Sequence, residues 1–157
     1  MFSFIKRLLI IVFINFVEQS IAGFASNFFI ILPLTFLAYS FYVYRSDKNI
    51  GGMESFLAGL FIDLISDTYF GLNAIIFCLI TYVINLYANA FKLFSYLQVC
   101  LFFGFSSTAY IGFTQLLINL YDFSYLTLFI SSIANVIFCI LIAIIQAYFP
   151  KNIRIRI

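Results

Sequence analysis

The sequence contains no tryptophan and no histidine, and only 9% of its 157 residues carry charge. Each shortage excludes something. Without histidine the chain lacks the side chain that titrates near neutrality and most often ligates metals. No enzyme active site is legible in what remains, and neither a cofactor nor a metal is expected. So little charge cannot clothe a globule in water, because a typical soluble chain is about a quarter charged. Cysteine is scarce as well. Cys78, Cys100 and Cys139 all fall inside apolar runs and form no C-x-x-C pair. In such surroundings cysteine acts as a small apolar filler, not as a disulfide or metal ligand. The formal charge of +2 is too small to point to a nucleic-acid partner.

What the chain does have is apolar surface: 65% of it is hydrophobic, and 23 residues are phenylalanine. Lipid is the solvent that suits such a composition. Strands of a membrane barrel would alternate apolar and polar residues over segments of about ten. The apolar runs here are continuous, as in 28–32 and 137–145, so the expected fold is an all-α integral membrane protein. A helical span needs roughly 20 apolar residues, which limits the chain to six spans in a single domain, 1–157.

Polar interruptions set the expected spans at about 8–25, 28–44, 53–66, 72–91, 93–120 and 125–149. The first break lies somewhere in 23–33, where Gly23, Ser26 and Asn27 are turn formers and Pro33 favours a first helical turn. A hydrophilic loop occupies 45–52, short turns fall at 67–71 and 121–124, and Pro150 precedes a basic tail. Lys6-Arg7 before an apolar run has the outline of a signal peptide, with Ser20-Ile-Ala22 as a loose cleavage site. Glu18 and Gln19 sit where that apolar stretch should finish, and cleavage would leave five spans. The segment is therefore read as retained.

Charge supports an even number of spans. Cytoplasmic loops carry the excess of Lys and Arg. With both termini cytoplasmic, the inside segments hold Lys6, Arg7, Arg45, Lys48, Lys92, Lys151, Arg154 and Arg156, which is every Lys and Arg in the chain. The outside turns hold Asp67 and Asp122.

One stretch stands out, from Phe56 to Ala74, where Gly59, Asp63, Asp67 and Gly71 recur every four residues. On a helix, four residues turn by about 400°, so successive members of such a series form a slanting stripe. An aspartate in the middle of a bilayer costs on the order of 2.5–3.5 kcal/mol. Asp63 should therefore face other helices or water. Its candidate partners are hydroxyls, the amides of Asn15, Gln115 or Asn119, and freed backbone amides near Gly71. The plain reading makes Gly59 a close-approach point, Asp63 an interhelical hydrogen-bonding group, and Asp67 with Gly71 the turn. The functional alternatives are a proton or cation relay, for which Glu18 is the one other acid at comparable depth, a ligand contact, and contact with a partner protein.

The same stretch carries a resemblance. Pro33 at the start of the second span, a short basic loop, and then Phe56, Gly59, Leu60, Asp63, Leu64, Ser66, Gly71, Leu72 and Ala74 resemble the MreD family of rod shape-determining membrane proteins. Asp67 stands where the family is expected to have a small residue, often glycine. The resemblance implies a non-enzymatic component of the bacterial cell-wall elongation machinery in the inner membrane. Its partners would be an MreC-like scaffold, an MreB-like filament and the wall-synthesis enzymes. It also implies a fold similar to the six-helix substrate-binding subunits of vitamin transporters. Small-molecule binding is therefore the second reading, and an ion or proton channel subunit is the third.

Overall fold

The computed structural model describes residues 2–46, 50–66, 69–91, 93–118 and 124–148. Among these residues seven helices follow one another: α1 (Phe2–Ser26), α2 (Leu34–Arg45), α3 (Gly52–Ser66), α4 (Leu72–Leu86), α5 (Ala88–Phe91), α6 (Tyr96–Ile118) and α7 (Tyr125–Tyr148). No strand occurs among the described residues. Asp67, Lys48, Lys92, Asn119, Asp122, Pro150 and the basic tail lie outside them.

Among the described residues, three stretches are long and apolar enough to cross a membrane: Leu8–Ser26 in α1, Leu97–Leu117 in α6 and Tyr125–Ile142 in α7. Helices α2 and α4 are shorter than the sequence suggests, whereas α3 matches its short expected span. At about 1.5 Å per residue, the 12 residues of α2 and the 15 each of α3 and α4 fall short of a hydrocarbon core roughly 30 Å thick. The apolar run 28–33 reads as the start of the second span, yet α2 begins only at Leu34. Phe28 and Phe29 close the end of α1 by donating to Ala25 and Ser26, and Ile30 N–H reaches back to Ala25 O at 3.1 Å. This terminus puts Phe29 at φ 56°, a left-handed conformation usually reserved for glycine. Pro33, fully buried, then starts α2 by accepting from Leu37 N–H at 3.0 Å. The expected fourth span, 72–91, is interrupted at Tyr87, which separates α4 from α5.

Helix α2 is the hub, packed against α1, α4 and α6, while α3 lies along α4 and α6 along α7. Aromatic stacking joins α2 to α4 and to α6. Tyr39 lies over Phe77 with ring centroids 4.1 Å apart, and Phe36 lies over Tyr110 at 4.8 Å. The Tyr39 hydroxyl meets Thr81 Oγ1 at 2.8 Å, and Ser55 donates to the same oxygen at 3.0 Å, so three helices share one small polar knot. Cys100 and Cys139 are buried, Cys78 is half-buried, and all three are free thiols.

The outside is apolar. Phe13, Phe24, Leu64, Phe105 and Phe129 are each about two-thirds exposed or more. Soluble monomers rarely show large contiguous apolar surface. Such a surface is matched by acyl chains.

Candidate functional site

The stretch 56–74 folds into a hairpin of α3 and α4, and Asp63 is its centre. Every α-helix begins with N–H groups that have no acceptor within the helix. At the start of α4 the acceptor comes from the preceding helix. The Asp63 carboxylate, 2% exposed, accepts from Gly71 N–H at 2.9 Å, Asn73 N–H at 3.0 Å and Ala74 N–H at 3.4 Å. Gly71 occupies the cap position at φ 95°, where a side chain would be strained. The positive end of the α4 dipole adds to the attraction for a carboxylate.

Gly59 makes this reach possible. One helical turn before Asp63, its Cα packs on the α4 backbone so closely that a methyl group there would run into Asn73 and Ala74. Ala74 is itself fully buried at that crossing. A larger residue at either point would lift α3 away and carry the carboxylate out of range of the amides.

The structure thus brings Gly59, Asp63, Gly71 and Ala74 into one contact. The four-residue series does not run on as a single stripe, because α3 ends at Ser66; only Gly59 and Asp63 share a helix. Phe56 is 41% exposed and turns outward. Ser66 belongs to a neighbouring polar group, accepting from Asn15 Nδ2 at 2.9 Å. Pro33 stands on α2, outside the hairpin. Among the candidate partners of Asp63, the freed amides at Gly71–Ala74 are in place. The Asn15 amide donates to Thr35 and Ser66, and Gln115 Oε1 is buried without a hydrogen-bond partner.

The polar groups continue from the hairpin in two directions. Asn73 Oδ1 accepts from Tyr110 OH at 2.8 Å, tying the capped turn to α6. On the other side, Gln19 Nε2 donates to Asn15 Oδ1 at 3.2 Å and to Ile65 O at 3.3 Å, covering the last turn of α3.

Two further features escape sequence reading. Glu18, considered above as an interruption of the first apolar run and as a possible ion-path acid, repeats the device of Asp63. Its Oε2 accepts from Thr35 N–H at 2.7 Å, in the first turn of α2. The second feature is the polar face of α7. Ser131 accepts from Ile31 N–H at 2.9 Å, and Asn135 Nδ2 donates to Ile31 O at 3.1 Å and to Ser131 O at 2.8 Å. These two fully buried residues satisfy the irregular backbone before Pro33. Unpaired peptide groups inside lipid would cost several kcal/mol each. A serine and an asparagine in an apolar helix were the available signal. Which backbone they meet, about a hundred residues earlier, was not. No protein family, curated protein or solved structure matches the chain.

Proposed function

We propose that the chain is a non-enzymatic, MreD-like component of the bacterial cell-wall elongation machinery. It would span the inner membrane six times with both termini in the cytoplasm. One observation carries the reading. Four of the residues on which the resemblance rests, Gly59, Asp63, Gly71 and Ala74, converge in one hairpin, where Gly59 permits the approach and Asp63 caps α4. The motif is explained as architecture, which suits a protein that organises others and performs no chemistry itself. In this reading an MreC-like scaffold, an MreB-like filament and the wall-synthesis enzymes are its partners.

Small-molecule capture fits less well. Pockets for such ligands enclose roughly 300–1,000 Å³, whereas the cavity beside Glu18 has about 180 Å³ and the one beside Tyr39 about 20 Å³. An ion relay fits less well too, because a relay needs carboxylate oxygens open to the ion, and three amides already claim those of Asp63.

Depletion in a rod-shaped bacterium tests the proposal. Cells should round and widen as lateral wall synthesis loses its organisation, and a scaffold protein should co-purify in mild detergent. Unchanged shape together with lost uptake of a vitamin would favour the transporter reading. Cysteine labelling from each side should place 45–52, Lys92 and residue 157 in the cytoplasm. An external residue 157 would refute six spans.

A further inference from the structure

Glu18 is used less fully than Asp63. One residue, Thr35, reaches it, through its backbone amide at 2.7 Å and through its hydroxyl, whereas a carboxylate offers about four acceptor sites. It also lines a cavity of about 180 Å³ between α1 and the chain leading into α2, together with Ala22, Ala25, Ser26, Ile31 and Leu34. Apart from the carboxylate and Ser26, those residues are apolar. The α1 face beside them is shallow and open: Ala22 is exposed, and a methyl group on Gly23 would meet nothing within 4 Å.

We propose that this cavity receives a basic side chain carried on a membrane helix of a partner protein, which crosses α1 over Ala22 and Ser26. Three considerations converge on that occupant. The first is charge: a carboxylate among apolar side chains calls for a cation or further donors. Among its described residues this chain sets no Lys or Arg beside the carboxylate. Its Lys and Arg all lie in 6–7, 45–48, 92 and 151–156. Arg7, the nearest on α1 itself, is about 16 Å away along the helix at about 1.5 Å per residue. A second copy has the same distribution and the same gap.

The second consideration is size. The void exceeds the share of a single water, about 30 Å³, and is smaller than a drug-sized pocket. A single long side chain, apolar along its stem and charged at its tip, fits both the volume and the lining. The third is approach. Small residues on a lipid-facing helix let another helix come close, and α1 presents them beside the cavity mouth. The inference is independent of the wall-elongation reading, since it rests on Glu18 and the cavity alone.

The test uses the full chain, acceptor-labelled and reconstituted in phosphatidylcholine vesicles. The probe is a donor-labelled leucine–alanine transmembrane peptide with one lysine a third of the way from its end. A twin peptide has norleucine at that position. Energy transfer should report about tenfold tighter association of the lysine peptide, the scale of a good polar contact between membrane helices. That preference should vanish in Glu18→Gln. It should also weaken in Ala22→Leu, which fills the cavity and keeps the carboxylate, with both variants retaining wild-type circular dichroism. Equal affinity for the two peptides would overturn the proposal, as would a preference that survives Glu18→Gln. So would transfer between differently labelled copies that Ala22→Leu abolishes, because the face would then belong to self-association. Loss of the lysine preference when phosphatidylethanolamine is added would assign the site to a lipid amine and likewise overturn it.

Discussion

The hairpins α1–α2 and α3–α4 solve the same problem to different degrees. In both, an acidic side chain on the first helix accepts N–H groups from the start of the second. In both, a residue with positive φ lies in the connection, Phe29 at 56° and Gly71 at 95°. The α3–α4 pair is finished. Its carboxylate takes three amides, its helices touch backbone to backbone at Gly59, and its turn has glycine where glycine is needed. The α1–α2 pair is looser. Its carboxylate takes one amide and the hydroxyl of the same residue, a cavity remains beside it, its left-handed residue is a phenylalanine, and its connection depends on Ser131 and Asn135 of a distant helix. A buried acid that is fully used by the backbone is architecture. One that is partly used has capacity left for something else.

The largest effect should come from Gly59→Leu. Overpacking a tight interior costs about 1–3 kcal/mol and sometimes more. Here the obstacle is backbone, which cannot swing aside as a side chain can. The variant should fail to accumulate in membranes, as a quantitative immunoblot would record. The same change at Gly23, where space is open, should leave levels near wild type. Equal losses at both glycines would mean that hairpin contact is not what matters.

Asp63→Leu comes next. It strips the acceptor from three N–H groups, at about 1–3 kcal/mol for each buried donor left unpaired. Asp63→Asn keeps the size and one oxygen and leaves one amide unpaired, so it should cost about 1–3 kcal/mol in all, and it should restore cell shape at matched membrane levels. If Asn fails as badly as Leu while the protein inserts normally, charge at this position has a role beyond capping.

Smaller still should be Asn135→Ala, which frees the Ile31 carbonyl and opens a small gap, for a loss of about 1–2 kcal/mol. Thermal denaturation in detergent should show it. Proteolysis of the folded protein should then gain a cut near 27–33 and none near 69–71. Phe29→Gly should act in the opposite direction. It relieves a left-handed side-chain conformation worth about 1 kcal/mol and should raise the melting temperature slightly. A lowered melting temperature would mean that the Phe29 ring contributes more by contact than its backbone costs.

The looser hairpin was also the harder one to read from sequence. Continuous apolar runs marked α1, α6 and α7, because length and composition alone define a long membrane helix. The Phe56–Ala74 stretch could be read as a hairpin because its signals are local: a turn glycine, an aspartate one turn inside the helix end, and a glycine one turn earlier. The start of α2 could not be placed so well. Residues 28–32 are as apolar as any span, and only Pro33 hints that Leu32 should leave the helical region. The partners of that irregular backbone lie on α7, and a sequence does not show which distant helix will pack against it. The kink at Tyr87 carries no glycine or proline signal either. Glu18 was visible as a charge, but its role as a cap depends on where α2 begins.

The central claim is that the Asp63 carboxylate holds the start of α4. Amide hydrogen exchange, read residue by residue in detergent micelles, tests it most directly. In the wild type the amides of Gly71, Asn73 and Ala74 should exchange slowly despite lying at a helix terminus. In Asp63→Ala they should exchange at least about tenfold faster, as expected if each loses about 1.4 kcal/mol or more of protection, while the amides of 80–84 keep their rates. Unchanged exchange at 71–74 in that variant would contradict the account.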